Sequence, residues 1–408
     1  MDADALVIGG GPAGAASAIL LARAGWRVLL VEQHAYPRRK VCGECLNAAS
    51  VELLDELGVG DEFRRAAGPE LRRTAWLGRG AETHGPLPEC ESGRYSYGRV
   101  LGRDRLDALL LARAATEGAR VLQPARLKTL RTADGHVHGE IDVGGTASHV
   151  RARIAVAAHG SWEAAPATDD TRSGERPPHR ASDLFAFKAN YVDARLAPGL
   201  LPVLSFPGGY GGVVLGDGGR TTLACCMRRD TLRRARAAAP GASAGIAVER
   251  WLVHHCSGLG DLLRGATRAG GWLSVGPIRP GMRVAAAPPR VFPTGNAAGE
   301  SHPLVGEGIG MALQSAVLLA RTLGALDPAS IDDAASAALQ REYADRWQRA
   351  FRTRLHVARL YAHAAMHPPL AAPAAALLAR WPGLLTHAAR LAGKARPPIT
   401  PARPEAPA

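Results

Sequence analysis

Residues 5–32 read ALVIGGGPAGAASAILLARAGWRVLLVE, and no other stretch limits the fold of this chain so strongly. Leu6, Val7 and Ile8 form a short apolar run that stops at Gly9. Gly9, Gly11 and Gly14, with Pro12 and Ala13 between the last two, spell G-x-G-x-x-G, and an Ala/Leu-rich helical run follows to Gly25. A second apolar run, residues 28–31, ends on Glu32, with Gln33 next to it. Strand, turn, helix, strand and acid in this register make a dinucleotide grip. Gly9 gives the tight turn, Gly11 lets the backbone approach a pyrophosphate, and Gly14 lets helix and strand pack closely. The helix start offers free N–H groups to phosphate, and Glu32 accepts the hydroxyls of a ribose.

The kind of dinucleotide is read much later in the chain. Residues 290–313 are RVFPTGNAAGESHPLVGEGIGMAL: a short strand, Gly295-Asn296, a Gly/Pro-rich loop, and a helix starting near Gly306. This segment resembles the second flavin-binding fingerprint of the FAD-dependent family that holds aromatic hydroxylases, geranylgeranyl reductases and flavin halogenases. The resemblance implies FAD as cofactor; an enzyme using NAD alone has no reason to carry this element. Asn296 stands where the family usually has an Asp that bonds the ribityl chain. Asn keeps an acceptor, so Asn296→Asp is expected to be tolerated and Asn296→Leu to lose flavin. By resemblance, the backbone N–H groups of Gly306, Glu307, Gly308 and Ile309 face the pyrimidine edge of the flavin and stabilise its reduced form.

Two further pieces match in order. Residues 102–121 open on Arg103 and Asp107, which fit the family's Arg-x-x-(Phe/Leu)-Asp helix start, so Arg103 is expected near the FAD phosphates. Residues 153–162 end a strand on Ala-His-Gly, with His159 where the family usually has Asp. The likeness spans residues 1–325. It implies an α/β fold: a Rossmann-type FAD-binding domain (three layers, mostly parallel sheet) interleaved with an antiparallel β-sheet substrate domain, plus C-terminal helices. The FAD domain is expected from 1–70, 100–165 and 275–325, and the substrate domain from 71–99 and 166–274. Alternating segments at 182–192, 211–215 and 221–227 read as its strands, and 231–238 and 244–255 as two helices. C-terminal helices take 326–395, a long one running from about 331 to 363, and a Pro/Ala-rich tail at 396–408 reads as disordered. Residues 169–179 read as a mobile polar loop.

A chain of 408 residues calls for more than one core. No apolar run reaches the roughly 18 residues that span a bilayer, and the N-terminus enters a strand directly, so a cytoplasmic protein is expected. The net charge of +13 suggests nucleic acid, but Lys40, Lys128, Lys188 and Lys394 are the only lysines, and arginine is spread along the whole chain. No basic run alternates with aromatics, so no nucleic-acid partner is expected. The charge instead suits an anionic small-molecule substrate, for example one linked to a coenzyme or carrier protein. Residues 362–392 carry Trp381, Leu384, Leu385 and Leu391 among basic residues. They read as a segment packing back on the core, with peripheral contact at a membrane surface as the alternative.

Chemistry beyond cofactor binding concentrates in three places. Residues 38–47, RRKVCGECLN, match the Lys-x-Cys-Gly motif that follows the second strand in geranylgeranyl reductases and some polyketide hydroxylases. The match falls on Lys40, Cys42, Gly43 and Glu44, which implies Lys40 at the cofactor and Cys42 beside the flavin. Cys42 and Cys45 also form a C-x-x-C, but the other cysteines, Cys90, Cys225, Cys226 and Cys256, lack the spacing for a metal site, and no metal is expected. His302 precedes the flavin-facing helix and titrates near neutrality, so it is a candidate base. Tyr210 stands where the reductases have a Tyr-x-Trp-x-Phe-Pro run, of which only the Tyr survives. Lys188 lacks the halogenase surroundings. Cys42, His302 and Tyr210 are therefore the candidate catalytic residues.

The first functional expectation is an FAD-dependent monooxygenase that hydroxylates an aromatic or polyketide-like small molecule through a flavin C4a-hydroperoxide. No second Rossmann fingerprint is present, so NAD(P)H is expected as a transient electron donor. The alternative is a flavin-dependent reductase or dehydrogenase of the geranylgeranyl reductase type, with hydride from flavin N5. A third is a non-catalytic FAD-binding protein.

Overall fold

The computed structural model describes residues 1–78, 81–90, 94–161, 180–324, 326–394 and 399. The expected polar loop at 169–179 and almost all of the tail lie outside these residues.

Alternation within the first strand sets the layers. In Asp2–Ile8, Ala5 and Val7 pack toward one core while Leu6 and Ile8 pack toward another. Because successive side chains point to opposite faces, this strand has to be covered on both sides. On one side lie the helices Pro12–Arg23, Arg103–Thr116 and Gly308–Leu323, with Leu21, Leu110 and Leu313 all buried. The other side is covered by β-structure, not by helices: Leu127, Leu130, Val137 and Ile141 of a hairpin extension close over Leu6, Leu29 and Val31. The sheet order is Arg120–Leu122, Val28–Val31, Asp2–Ile8, Thr146–Ala157, His136–Val143, Arg126–Ala133, with Val291–Pro293 also paired to Thr146–Ala157. Its pairs are parallel up to Thr146–Ala157 and Val291–Pro293, and antiparallel through the hairpin.

The second sheet runs Thr267–Arg268, Leu184–Val192, Thr221–Arg228, Gly209–Leu215, Leu200–Phe206, Arg73–Gly78, Ala81–Pro86. All these pairs are antiparallel except Leu200–Phe206 with Arg73–Gly78, which is parallel. Leu273–Ile278 also pairs with Leu184–Val192. Residues 275–278 therefore sit in the second sheet, whereas the sequence boundary put them with the cofactor domain; a Gly/Pro-rich segment gives little periodicity to decide by. Helices Arg229–Ala237 and Ala244–His255 cover one face of this sheet through Ala235, Val248 and Leu252.

The long C-terminal helix spans Asp333–Met366 and starts at Asp332, whose side chain accepts from the Ala335 N–H at 2.7 Å. It buries Tyr343, Trp347 and Phe351 in the core of the cofactor domain, then Ala362 and Ala365 against Tyr210 and Cys226 of the second sheet. One helix thus clamps both halves. No helix among the described residues is long and apolar enough to cross a membrane.

Candidate functional site

One cavity runs from the glycine turn at Gly9 and Gly11 to Tyr210 and His302 on the second sheet's side. At its first end the turn is sterically closed. Gly9 has φ +104°, and a Cβ there would lie 2.6 Å from the Ala158 carbonyl oxygen. A Cβ on Gly14 would lie 1.9 Å from the Gly9 carbonyl oxygen, so only glycine lets the helix meet the strand here. The helix Pro12–Arg23 begins with Gly11 as cap and has no side-chain cap, which leaves its first N–H groups directed at the cavity. Pro12 and Ala13 line the cavity, while Gly14 lies under it.

Glu32 is 2 % exposed, and its carboxylate accepts from the Gly10 N–H and the His34 N–H, both at 2.8 Å, and from the Tyr36 hydroxyl at 3.2 Å. These bonds fix the carboxylate at the cavity wall with acceptor capacity left for a ribose. Gln33 is half-buried and is not part of the lining. Arg103 lines the cavity, its Nη2 3.6 Å from the place a Gly11 Cβ would occupy. Asp107 grips it bidentately, at 2.7 Å from Nε and 2.6 Å from Nη2. Burial opposes the charged guanidinium, but Asp107 outweighs it and holds Arg103 firmly protonated. A fixed cation one atom's breadth from Gly11 and an uncapped helix start fit a pyrophosphate.

The second fingerprint touches the first: a Cβ on Gly295 would lie 2.8 Å from Ala13 Cβ. Gly295, Asn296, Gly306, Gly308 and Ile309 all line the cavity, and the helix Gly308–Leu323 also starts without a side-chain cap. Glu307 turns away from it. Its carboxylate accepts from Asn47 Nδ2 at 3.0 and 3.1 Å and lies 3.6 Å from Lys394 Nζ. Burial raises its pKa, with Lys394 and Arg354 acting against that rise.

Asn296 has a neighbour that the sequence did not announce. Its Nδ2 donates to Glu300 Oε1 at 3.3 Å; Glu300 is buried, also accepts from Ser161 at 3.0 Å, and lines the cavity. This reverses one expectation. Asn296→Asp would set a second carboxylate against Glu300 in a buried site, and like charges at such range resist joint ionisation. FAD affinity should fall about tenfold in Asn296→Asp, and Asn296→Asp/Glu300→Gln should recover it, as read by flavin titration of the apoprotein. Equal affinity in wild type and Asn296→Asp would remove Glu300 from the cofactor's surroundings.

Residues 40–44 cross from the cofactor to the second sheet, and Lys40, Cys42, Gly43 and Glu44 line the cavity. Glu44 holds a left-handed backbone at φ 60°, unusual for a residue with a Cβ. Its buried carboxylate secures that turn: Oε1 accepts from the Arg103 N–H at 2.9 Å and from Lys188 Nζ, and Oε2 accepts from the Thr222 hydroxyl at 2.8 Å. Lys188 is 1 % exposed and also donates to the Lys40 carbonyl oxygen. Lys188 and Glu44 thus tie the two halves together behind the Cys42 loop. From the sequence Glu44 reads as either a proton carrier or a salt-bridging residue, and the structure shows it in an ion pair with Lys188.

Cys42 and Cys45 are both free thiols. Burial pushes Cys45 above the usual thiol range, the opposite of an activated thiolate. Cys42 is half-buried, accepts from the Glu44 N–H at 3.3 Å and faces the cavity. Anaerobic titration should therefore end at two electrons per FAD, with no thiolate–flavin band. Cys45→Ser should match wild type, and Cys42→Ser should slow turnover only moderately. A four-electron end point would show that the pair carries electrons. No cluster of metal-ligating side chains occurs among the described residues.

At the far end, Ala186, Tyr210 and Cys226 stand side by side across three strands, since Ala186 and Tyr210 both pair with Cys226. The Tyr210 hydroxyl meets His302 Nδ1 at 3.1 Å, with the rings edge to face. Desolvation, helped by Arg359, lowers the His302 pKa to about 4, and burial raises that of Tyr210 well above its ordinary value. Both are neutral at physiological pH. Around them the lining is Val41, Ala186, Phe187, Leu201, Val203 and Leu304. The structure thus brings all three candidate catalytic residues into one cavity. His159 lines the cavity as well, at the glycine-turn end, its Cα 3.0 Å from the place a Gly9 Cβ would occupy.

Cradle, second fingerprint and overlying sheet define a flavin-binding protein with a substrate chamber. Residues 2–179 match the family described as "FAD binding domain". The chain is an FAD-dependent oxidoreductase, similar to members of the aromatic hydroxylase and geranylgeranyl reductase superfamily. It is 32 % identical over 179 residues to aklavinone 12-hydroxylase of Streptomyces peucetius, covering 39 % of this chain and 36 % of that protein. It is 27 % identical over 375 residues to digeranylgeranylglycerophospholipid reductase 1 of Methanopyrus kandleri, covering 88 % and 89 %. Several curated relatives are matched over only 22 to 36 % of their own length. Among solved structures, the myxobacterial chondrochloren halogenase shares the fold, with a TM-score of 0.72 at 23 % identity over 86 % of this chain and 80 % of that one.

Proposed function

We propose that this protein is an FAD-dependent monooxygenase that hydroxylates an apolar, phenolic small molecule, with NAD(P)H as a transient electron donor. The observation that carries the reading is the substrate end of the cavity, where apolar side chains surround one neutral Tyr210–His302 pair. Such a chamber suits an uncharged aromatic ring better than an anion, and one hydroxyl on that ring finds a hydrogen-bond partner.

When bound, FAD supplies the electrons and the site of oxygen activation. The chain's own residues do the rest. Glu32, Arg103 and the two helix starts hold the cofactor. Apolar walls exclude water. His302, with Nδ1 engaged by Tyr210, presents its other ring nitrogen for a substrate phenol and orients the ring.

A second reading, a flavin-dependent reductase, draws support from the near full-length likeness to a reductase and from Cys42 at the cavity wall. Candidate phenols and alkenes offered with NADH or NADPH separate the two. Monooxygenation consumes one oxygen per NAD(P)H and gives a hydroxylated product. A reduced product formed equally well without oxygen would establish the reductase instead.

A further inference from the structure

From Arg349 onward the solvent face of the long helix Asp333–Met366 is basic: Arg349, Arg352, His356, Arg359 and His363 recur at helical spacing with Leu360, which is 65 % exposed. The sequence then runs from Arg346 to Pro404 with ten arginines and lysines and no Asp or Glu. Within this acid-free stretch, helix Pro368–Arg380 packs against the strand Ala81–Pro86, and Gly383–Leu391 follows on the same strand, with Thr386 donating to the Pro86 carbonyl oxygen at 2.7 Å. Away from that strand, Leu370, Pro373 and Leu377 share one helical face, which Trp381 continues. Leu370, Leu377 and Trp381 are 45 %, 47 % and 54 % exposed, and the Arg380 guanidinium lies 5.6 Å from the Trp381 ring centre.

We infer that the face formed by these three helices docks on an anionic phospholipid surface. Large apolar side chains in a row, flanked by arginines and free of acids, match an acyl–headgroup boundary: the leucines and the indole enter the apolar layer while the guanidinium groups stay with the lipid phosphates. Nucleic acid would explain the cations but not the exposed leucine row. A second copy of the chain would bring another equally cationic face against it. The docked face also borders the cavity. Arg359 stands on its solvent side, close enough to depress His302, while Ala362 and Ala365 of the same helix pack on Tyr210 and Cys226. An apolar substrate dissolved in a membrane would thus be close to the chamber. The docking itself rests on the surface alone and not on the reaction proposed above.

The test is flotation of the FAD-loaded full chain with vesicles of phosphatidylcholine, alone or mixed with phosphatidylglycerol, at physiological ionic strength. Binding is expected only to the anionic vesicles. Arg380→Gln and Arg390→Gln should each weaken it about fivefold, and Leu377→Ser/Trp381→Ser by at least about tenfold. The flavin spectrum and melting temperature of each variant, expected to match wild type, show that the fold is kept. No binding to anionic vesicles overturns the inference, as does full binding by Leu377→Ser/Trp381→Ser. Duplex DNA binding that exceeds vesicle binding, or a dimer abolished by Leu377→Ser/Trp381→Ser without vesicle binding, assigns the face to another partner and overturns it equally.

Discussion

Glu32→Ala is expected to lower FAD affinity by about a hundredfold. Two losses combine. The ribose hydroxyls lose a charge-assisted acceptor, at about 1.5–3 kcal/mol. The Gly10 and His34 N–H groups, now each 2.8 Å from the carboxylate, lose the partner that fixes the glycine turn. A buried donor left unpaired costs about 1–3 kcal/mol, part of which water entering the truncated site recovers. Glu32→Gln keeps an acceptor and should cost about tenfold. Gly14→Ala should be worse than either, because its methyl group would overlap the Gly9 carbonyl oxygen, backbone meeting backbone with no flexible side chain to yield. Equilibrium binding of FAD to deflavinated protein, followed by flavin fluorescence, reads all three. Unchanged affinity in Glu32→Ala would mean that the adenosine does not lie at this strand end.

The cofactor half was legible because each of its parts imposes a local rule on residue type. Gly9 and Gly14 occupy places where a Cβ meets a backbone oxygen, and Glu32 ends a strand whose apolar run announces it. The second sheet was harder. Its strands at 184–192, 209–215 and 221–228 alternate and were legible as strands, but the parallel pairing of Leu200–Phe206 with Arg73–Gly78 joins segments more than a hundred residues apart and leaves no local mark. Glu300 was missed for a related reason. A single acid in a Gly/Pro-rich loop reads as surface, and only the packing of Ser161, from another part of the chain, makes it a buried acceptor. Lys188 and Glu44 lie 144 positions apart, so their ion pair is visible only once both sheets are folded. The hairpin extension that forms the third layer follows the same logic: its apolar alternation says that it covers something, not what it covers.

His302 is where sequence and structure differ in a way that experiment can read. The sequence offers a histidine that titrates near neutrality, whereas burial holds this one at about 4. A group with a lowered folded pKa binds its proton less readily when folded, so its neutral form persists from the alkaline side down to about pH 4. Activity of the free enzyme should therefore show no loss from protonation of His302 between pH 8 and pH 5. The same shift makes the folded state lose stability as pH falls from the unfolded histidine value, about 6.5, toward 4. His302→Gln, which keeps a hydrogen-bonding group, should flatten that part of the melting-temperature profile. In turnover, His302→Leu should lower kcat about a hundredfold, the low end of the range for a positioned acid–base group, since an imidazole of such low basicity accepts and orients more than it stores a proton. Tyr210→Phe should lose about tenfold, because it frees the ring that Tyr210 holds at 3.1 Å without removing the ring itself. FAD content should be unchanged in both, since neither residue belongs to the cradle built by Gly9, Glu32 and Arg103. A kcat/KM profile that falls with a pKa near 6.5 in wild type, and not in His302→Gln, would place His302 in contact with water and dismantle the desolvated Tyr210–His302 site on which the hydroxylation reading depends.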